Sequence, residues 1–261
     1  MSSKTEELLN LLLWSAETLA NPTWRNLFES YEGWAYRHGL LTQVARLERR
    51  KWIARQSATR TDRLYRLLER GRVEALGGRD PETQWHRRWD GRWRLVLFDI
   101  PTGQNAARER LRRYLKSRGF GYLQNSVWIT PDSLETERSI LAGGKTNVES
   151  LILLEARACA GELDAEIVEG AWDFDRINQR YSQYLRLLSA RPSGVIKDKV
   201  AATRVLHWMS REHEAWLDAV TNDPLLPARI LPPRYLGRKA WQRRVRVMAD
   251  VSRRMGSFKA A

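Results

Sequence analysis

The chain has one cysteine, Cys159, in 261 residues. No internal disulfide framework is open to it, and a lone thiol suits a reducing compartment, so a cytoplasmic location is expected. Cys159 lies in the apolar run LILLEARACA and is expected to be a buried small hydrophobe. No stretch reaches the roughly 18 uninterrupted apolar residues of a membrane-spanning helix, so no membrane partner is expected. The start, MSSKTEELLN, lacks a basic segment followed by an apolar core, which argues against secretion. Histidine is scarce, and His38, His86, His207 and His213 form no close pair with cysteines of the kind that holds zinc. A P-loop, a GxGxxG turn after a strand and a GxSxG elbow are all missing, as are internal repeats and low-complexity tracts. The expectation is a protein without cofactor or metal, and not an enzyme.

Positive charge is abundant. Lys and Arg number 45 against 31 Asp and Glu, a formal net charge of +14, and 43% hydrophobic content is enough for real cores. The charge is uneven. From Arg37 to Arg72 eleven Lys/Arg face only Glu48, Asp62 and Glu69, whereas residues 1–36 hold two bases and five acids. A duplex polyanion is the natural partner for such a local excess, because each neutralised phosphate releases counterions. A second basic stretch, Arg229 to Ala261, has ten Lys/Arg and the single acid Asp250.

Apolar spacing predicts helices over residues 4–20 and 24–36, then a third from Leu40 to Lys51 with Leu40, Leu41, Val44, Leu47 and Trp52 inward. Gln43, Arg46 and Arg50 fall on its opposite face, flanked by Thr42 and Arg49. Two strand-like runs follow, Ile53–Ser57 and Leu64–Leu67, joined by the polar ATRTDR, and a helix over Glu69–Leu76 closes the segment. Helices followed by a hairpin give a winged helix-turn-helix over residues 1–80. In that reading the third helix enters the major groove. Arg46 and Arg50 contact guanine, Gln43 adenine, and Thr42 a phosphate or thymine methyl. Arg60 at the hairpin tip enters the minor groove, and Arg55 or Arg63 holds the backbone.

Residues 81–91 break the periodicity and read as a linker. Over 92–160 the order is strand (WRLVLFDIP), helix (Gln104–Arg118, with Ala106, Leu111, Tyr114 and Leu115 inward), two short strands, helix (132–142) and strand (150–158). That order is the ferredoxin-like unit, expected here to dimerise. Residues 161–261 are expected to be a helical C-terminal domain with helices over Phe174–Leu188, Lys199–Leu217 and Arg238–Met255, the last with a basic face of Arg243, Arg246 and Arg254. The fold class is therefore α+β, multidomain. Most of the twelve tryptophans are expected in cores.

Three motifs in order, YRLLERGR, WRLVLFDIP…RLRRYLKSRGFGYLQNSVWITP and DPLLPARILPP, resemble the PaaX family of bacterial transcriptional regulators. The resemblance implies a homodimer that binds double-stranded operator DNA, represses a catabolic operon and is released by an acyl- or aryl-coenzyme A effector. Trp172, Tyr181, Trp208, Trp216, Arg176 and Arg204 are loose candidates for an effector pocket. Two alternatives stand beside this: a Mg-dependent nuclease of the CRISPR adaptation type using Asp99, and a non-specific nucleic-acid-binding protein.

Overall fold

In the computed structural model of the chain, residues 40–59, 62–101, 103–135, 150–196 and 198–256 are described. In chain order they form α1 (Leu40–Arg49), β1 (Ile53–Thr59), β2 (Asp62–Leu67), α2 (Glu69–Ala75), α3 (Pro81–His86), β3 (Trp93–Asp99) and α4 (Asn105–Ser117). Then come β4 (Gly121–Gln124), β5 (Val127–Thr130), β6 (Ser150–Ala156), α5 (Asp164–Ala171), α6 (Phe174–Ser189), α7 (Lys199–Thr221), a 3-10 turn (Ala228–Ile230) and α8 (Gly237–Gly256). The helices expected over 4–20 and 24–36, the tip residue Arg60 and most of the helix expected over 132–142 lie outside the described residues. Among the described residues no helix is long and apolar enough to cross a membrane.

The chain divides into two compact units. One takes residues 1–80, 181–218 and 237–261; the other takes 81–180 and 219–236. The stretch 161–261, expected as one helical domain, is thus shared between them, and the expected linker 81–91 contains helix α3. The reason is long-range pairing. Arg87 donates to the carbonyl of Leu225, and Trp85 Nε1 donates to the Tyr235 hydroxyl at 3.1 Å. Asp223, only 1% exposed, takes the Leu225 N–H at 2.8 Å and the Tyr235 hydroxyl proton. The DPLLPARILPP segment therefore folds onto α3 through one buried carboxylate. Leu225 occupies the left-handed region (φ 51), which aims its carbonyl at Arg87.

In the second unit β3 is the central strand of an antiparallel sheet ordered β4-β5-β3-β6. Val96 pairs with Trp128 on one side and Leu153 on the other, and the two-residue period puts Val96 and Phe98 on one face. Helix α4 covers that face with Ala107, Leu111 and Leu115, and Phe120, Ile100 and Trp128 complete the core. Ala107 is buried where Ala106 was expected, since Ala107 stands one turn before the anchoring Leu111. Arg94 ties the layer together. It donates to both Asp90 oxygens at 2.8 and 2.6 Å and lies 3.4 Å from Glu155. The hydrogen bond from Arg94 holds the Asp90 carboxyl below its usual range.

Trp93, Trp89 and Trp172 stack beside this sheet, with ring centroids 5.2 and 6.1 Å from Trp93. Trp93 Nε1 donates to Asp164, and Trp172 Nε1 to the Gly119 carbonyl. Gly121 is required beneath Trp172, because a Cβ there would sit 2.6 Å from the indole. All nine tryptophans among the described residues are buried. Cys159, by contrast, is exposed. Strand β6 ends at Ala156, so the apolar run outlasts the sheet that would have buried it.

In the first unit α6, α7 and α8 bury a charged cluster. Glu212 and Arg244 are each fully buried, with Nε to Oε1 at 2.8 Å and Nη2 to Oε2 at 3.3 Å. Tyr184 donates its hydroxyl to Glu212, and the guanidinium lies 4.7 Å from the Trp216 ring centroid. Burial opposes the Arg244 charge, but the Glu212 carboxylate and the Tyr184 oxygen together outweigh it and the pKa is raised. Burial, aided by Arg244, pushes the adjacent His213 down to about 3. His213 is thus neutral in the folded state while the unfolded chain protonates near 6.5. Its depressed pKa adds stability that is complete above pH 6.5 and drains away as pH falls toward 3. Replacement His213→Gln is expected to flatten that part of the stability–pH curve, measured as urea midpoints between pH 7 and 4. Removing the Asp223 clamp should be read more simply: Tyr235→Phe is expected to lower stability by about 1.5–3 kcal/mol, the usual worth of a hydrogen bond to a charged group.

Candidate nucleic-acid interface

Helix α1 is seated by Val44 and Leu47, both buried, with Trp52 and Ile53 closing the same side. Its end has an unusual construction. The Trp52 N–H bonds the Leu47 carbonyl at 3.0 Å and the Lys51 N–H bonds Glu48 at 2.9 Å, with Lys51 left-handed at φ 56. These two bonds define a Schellman motif, in which glycine is the usual residue at the left-handed position. Lysine there carries a steric penalty that glycine avoids.

Trp52 then serves the hairpin. Its carbonyl accepts the Leu68 N–H at 2.8 Å, joining the start of β1 to the residue after β2. β1 and β2 pair antiparallel from Ile53↔Leu67 to Thr59↔Asp62, with an irregularity between Arg55 and Ser57. Helix α2 follows at once, and Gly71 abuts the same carbonyl: a Cβ at this position would meet the Trp52 oxygen at 2.3 Å.

On this scaffold the structure places Arg46, Arg49 and Arg50 at the exposed side of α1 and its end. Arg49 Nε bonds the Ala45 carbonyl at 3.4 Å, and the Arg50 guanidinium lies 5.0 Å from the Trp52 ring centroid. Stacking on the buried indole restrains the exposed Arg50 side chain. Thr42 and Gln43 belong to α1, Arg55 to β1 opposite Tyr65, and Arg63 to β2 opposite Ala58. Arg60 is outside the described residues. Sequence reasoning missed the role of Lys51. A glycine would have signalled the helix end, and lysine gives no such signal.

The other candidate residues sort differently. Of the expected basic face on α8, Arg254 donates to the Pro192 and Gly194 carbonyls at 3.0 and 2.6 Å, and Arg243 to Ser189 at 3.0 Å. Arg254 secures the segment after α6 and Arg243 the last residue of that helix, and Arg246 is the exposed member of the three. Trp172, Tyr181, Trp208 and Trp216 are buried core residues, while Arg176 and Arg204 are exposed. Asp99 is exposed at the end of β3, opposite Ser150. Among the described residues no group of three or more His, Cys, Asp or Glu could hold a metal ion.

Comparison with known proteins agrees with the chain's order of parts. Residues 86–168 match the family model "PaaX protein central Cas2-like domain", and residues 172–258 match "PaaX-like protein C-terminal domain". The transcriptional repressor PaaX of Escherichia coli (strain K12) is 24% identical over 214 residues, which take in 77% of this chain and 65% of the repressor. A solved structure, the uncharacterized protein Rv0674 from Mycobacterium tuberculosis, shares the fold at a TM-score of 0.57 and 20% identity, over 95% of both chains.

Two substitutions test the α1 platform. Lys51→Gly is expected to stabilise the protein by about 1 kcal/mol through relief of the left-handed penalty. Gly71→Ala is expected to destabilise by about 1–3 kcal/mol, since a backbone carbonyl cannot step aside as a side-chain tip does. Urea unfolding midpoints of the two variants should move in opposite directions.

Proposed function

Because the chain belongs to the PaaX family, we propose that it is a sequence-specific, dimeric DNA-binding transcriptional regulator, a repressor of a catabolic operon released by an acyl- or aryl-coenzyme A thioester. The observation that carries the reading is the exposed arginine side of α1, set on buried Val44, Leu47 and Trp52 and followed directly by the β1–β2 hairpin. Helix, hairpin and helix in this order support a winged helix, with α1 as the element that enters the major groove. Strand order β4-β5-β3-β6, with α4 between β3 and β4, supports the ferredoxin-like reading of the central unit.

Dimerisation has its own support in β6. This strand closes one side of the described sheet, and its sequence SLILLEA carries neither lysine nor proline to discourage pairing. Ile152 is 49% exposed and Leu154 47%. An apolar edge of this kind is a ready surface for a second copy of the chain. The effector side of the proposal comes from the family resemblance. The nuclease alternative is not carried forward: the named relative is a repressor, and Asp99 has no neighbouring carboxylate in sequence.

Footprinting on the promoter region of the chain's own gene, with and without a panel of acyl- and aryl-coenzyme A thioesters, tests the whole reading. A protected palindrome lost with one thioester is the expected result; uniform coating without a footprint would sink it. Arg46→Ala should relax specificity at one base pair by about 1–3 kcal/mol, the range for a bidentate contact. Arg63→Ala should weaken binding to all duplexes alike and reduce the salt slope by about 1. Ile152→Lys combined with Leu154→Lys should shift the sedimenting species from dimer to monomer, and a dimer that persists would place the interface elsewhere.

A further inference from the structure

Helix α4 buries Ala107, Leu111 and Leu115 against the sheet and turns Arg110, Arg112, Arg113 and Lys116 away from them, with Glu109 as the single acid in the helix. Nothing in the local physics of the helix calls for this arrangement. There is no acid in its first turn and no side-chain cap at Gln104. Cations spaced three and four apart repel one another, and those in the first half oppose the helix dipole. A helix that needed only solvation would mix signs to gain ion pairs along its face.

Elsewhere in the same unit three arginines are paired with acids. Arg87 is met by Asp132, Arg92 by Glu155, and Arg94 by Asp90 and Glu155. On α4, Arg108 bonds the Asn105 amide oxygen and the Ile100 carbonyl at 3.1 and 2.7 Å. Arg112 reaches Glu109 at 3.2 Å and Arg113 bonds only the carbonyl of Glu109 on its own helix at 3.3 Å. Arg110 and Lys116 are exposed and make no hydrogen bond or ion pair among the described residues.

We infer that the outer face of α4 is a second nucleic-acid-binding surface, which holds the phosphate backbone of duplex DNA outside the base pairs that α1 reads. The inference rests on the regulator reading above. Three outward cations at successive turns, Arg110, Arg113 and Lys116, rise along the helix by about 1.5 Å per residue, so their Cα atoms advance by roughly 4.5 Å per step. That spacing suits a run of phosphates along one strand, contacts that carry no sequence information directly.

The test uses the full chain with Arg110, Arg113 and Lys116 all changed to Gln. Binding to a duplex from the promoter region of its own gene is measured between 50 and 200 mM salt, beside a control in which exposed Arg176, Arg186 and Arg211 are changed to Gln. All six side chains are exposed, and an unchanged urea midpoint certifies the fold. The expected result is a salt slope about 2–3 smaller in the α4 variant only, with binding at 100 mM weakened by about tenfold or more and sequence preference kept. An α4 slope equal to that of the parent overturns the inference, and so does an equal loss in the control, which would mean a general charge effect. If the parent shows no sequence preference while the α4 variant still loses slope, the surface stands and the specific-regulator reading falls. A parent that binds no duplex overturns both.

Discussion

A guanidinium stays charged at any pH a folded protein meets, and this constraint organises the molecule. Of its two ordinary solutions, one is to supply every buried arginine with a fixed acceptor. Arg244 has Glu212 and the face of Trp216; Arg87 has Asp132 and a backbone carbonyl made available by the left-handed Leu225; Arg94 has two carboxylates. The other is to leave the charge in water. Arg49 on α1, Arg50 just after it, and Arg110 and Arg113 on α4 are exposed instead. The excess of +14 is therefore not spread as a uniform coat. The least exposed of these arginines each meet an acid, while those named on α1 and α4 lie at the surface.

Trp52 shows how few groups orient the first of those faces. Its N–H closes α1, its carbonyl fastens the hairpin and α2, and its ring carries Arg50. Orientation of an outward arginine relative to the hairpin thus depends on one residue whose own position is held by burial. Preorganisation of this kind lowers the entropy lost when the side chain meets a partner. The left-handed Lys51 is offset by the two Schellman bonds and the burial of Trp52.

What could be read from the sequence was local and periodic. Strand β3 was legible from WRLVLFDIP and helix α4 from its apolar spacing, because burial on one face imposes a period that survives in the letters. A one-residue error, Ala106 for Ala107, arose where alanine adds too little apolar area to set the phase. Cys159 failed for a related reason: an apolar run says where burial is possible, and the end of β6 decides where it stops. Helix α3 and the partners of DPLLPARILPP were invisible, since the Asp223–Tyr235 and Arg87–Leu225 bonds join positions whose relation exists only after folding. The α1 arginines were legible as a face; that Arg50 rests on Trp52 was not.

The two exposed basic faces also differ in what they can contribute. The sequence of α1 also includes Thr42 and Gln43, residue types able to donate and accept hydrogen bonds. On α4 the neighbours are Ala106, Asn105 and Ser117, and the cations dominate. Base readout is short-ranged and only weakly dependent on salt, whereas phosphate neutralisation fades steeply as salt rises. A regulator that divides the two tasks between separate helices gains affinity for any duplex from one and discrimination from the other. Under the proposed function, sequence choice would rest with α1, and α4 would add affinity for any duplex.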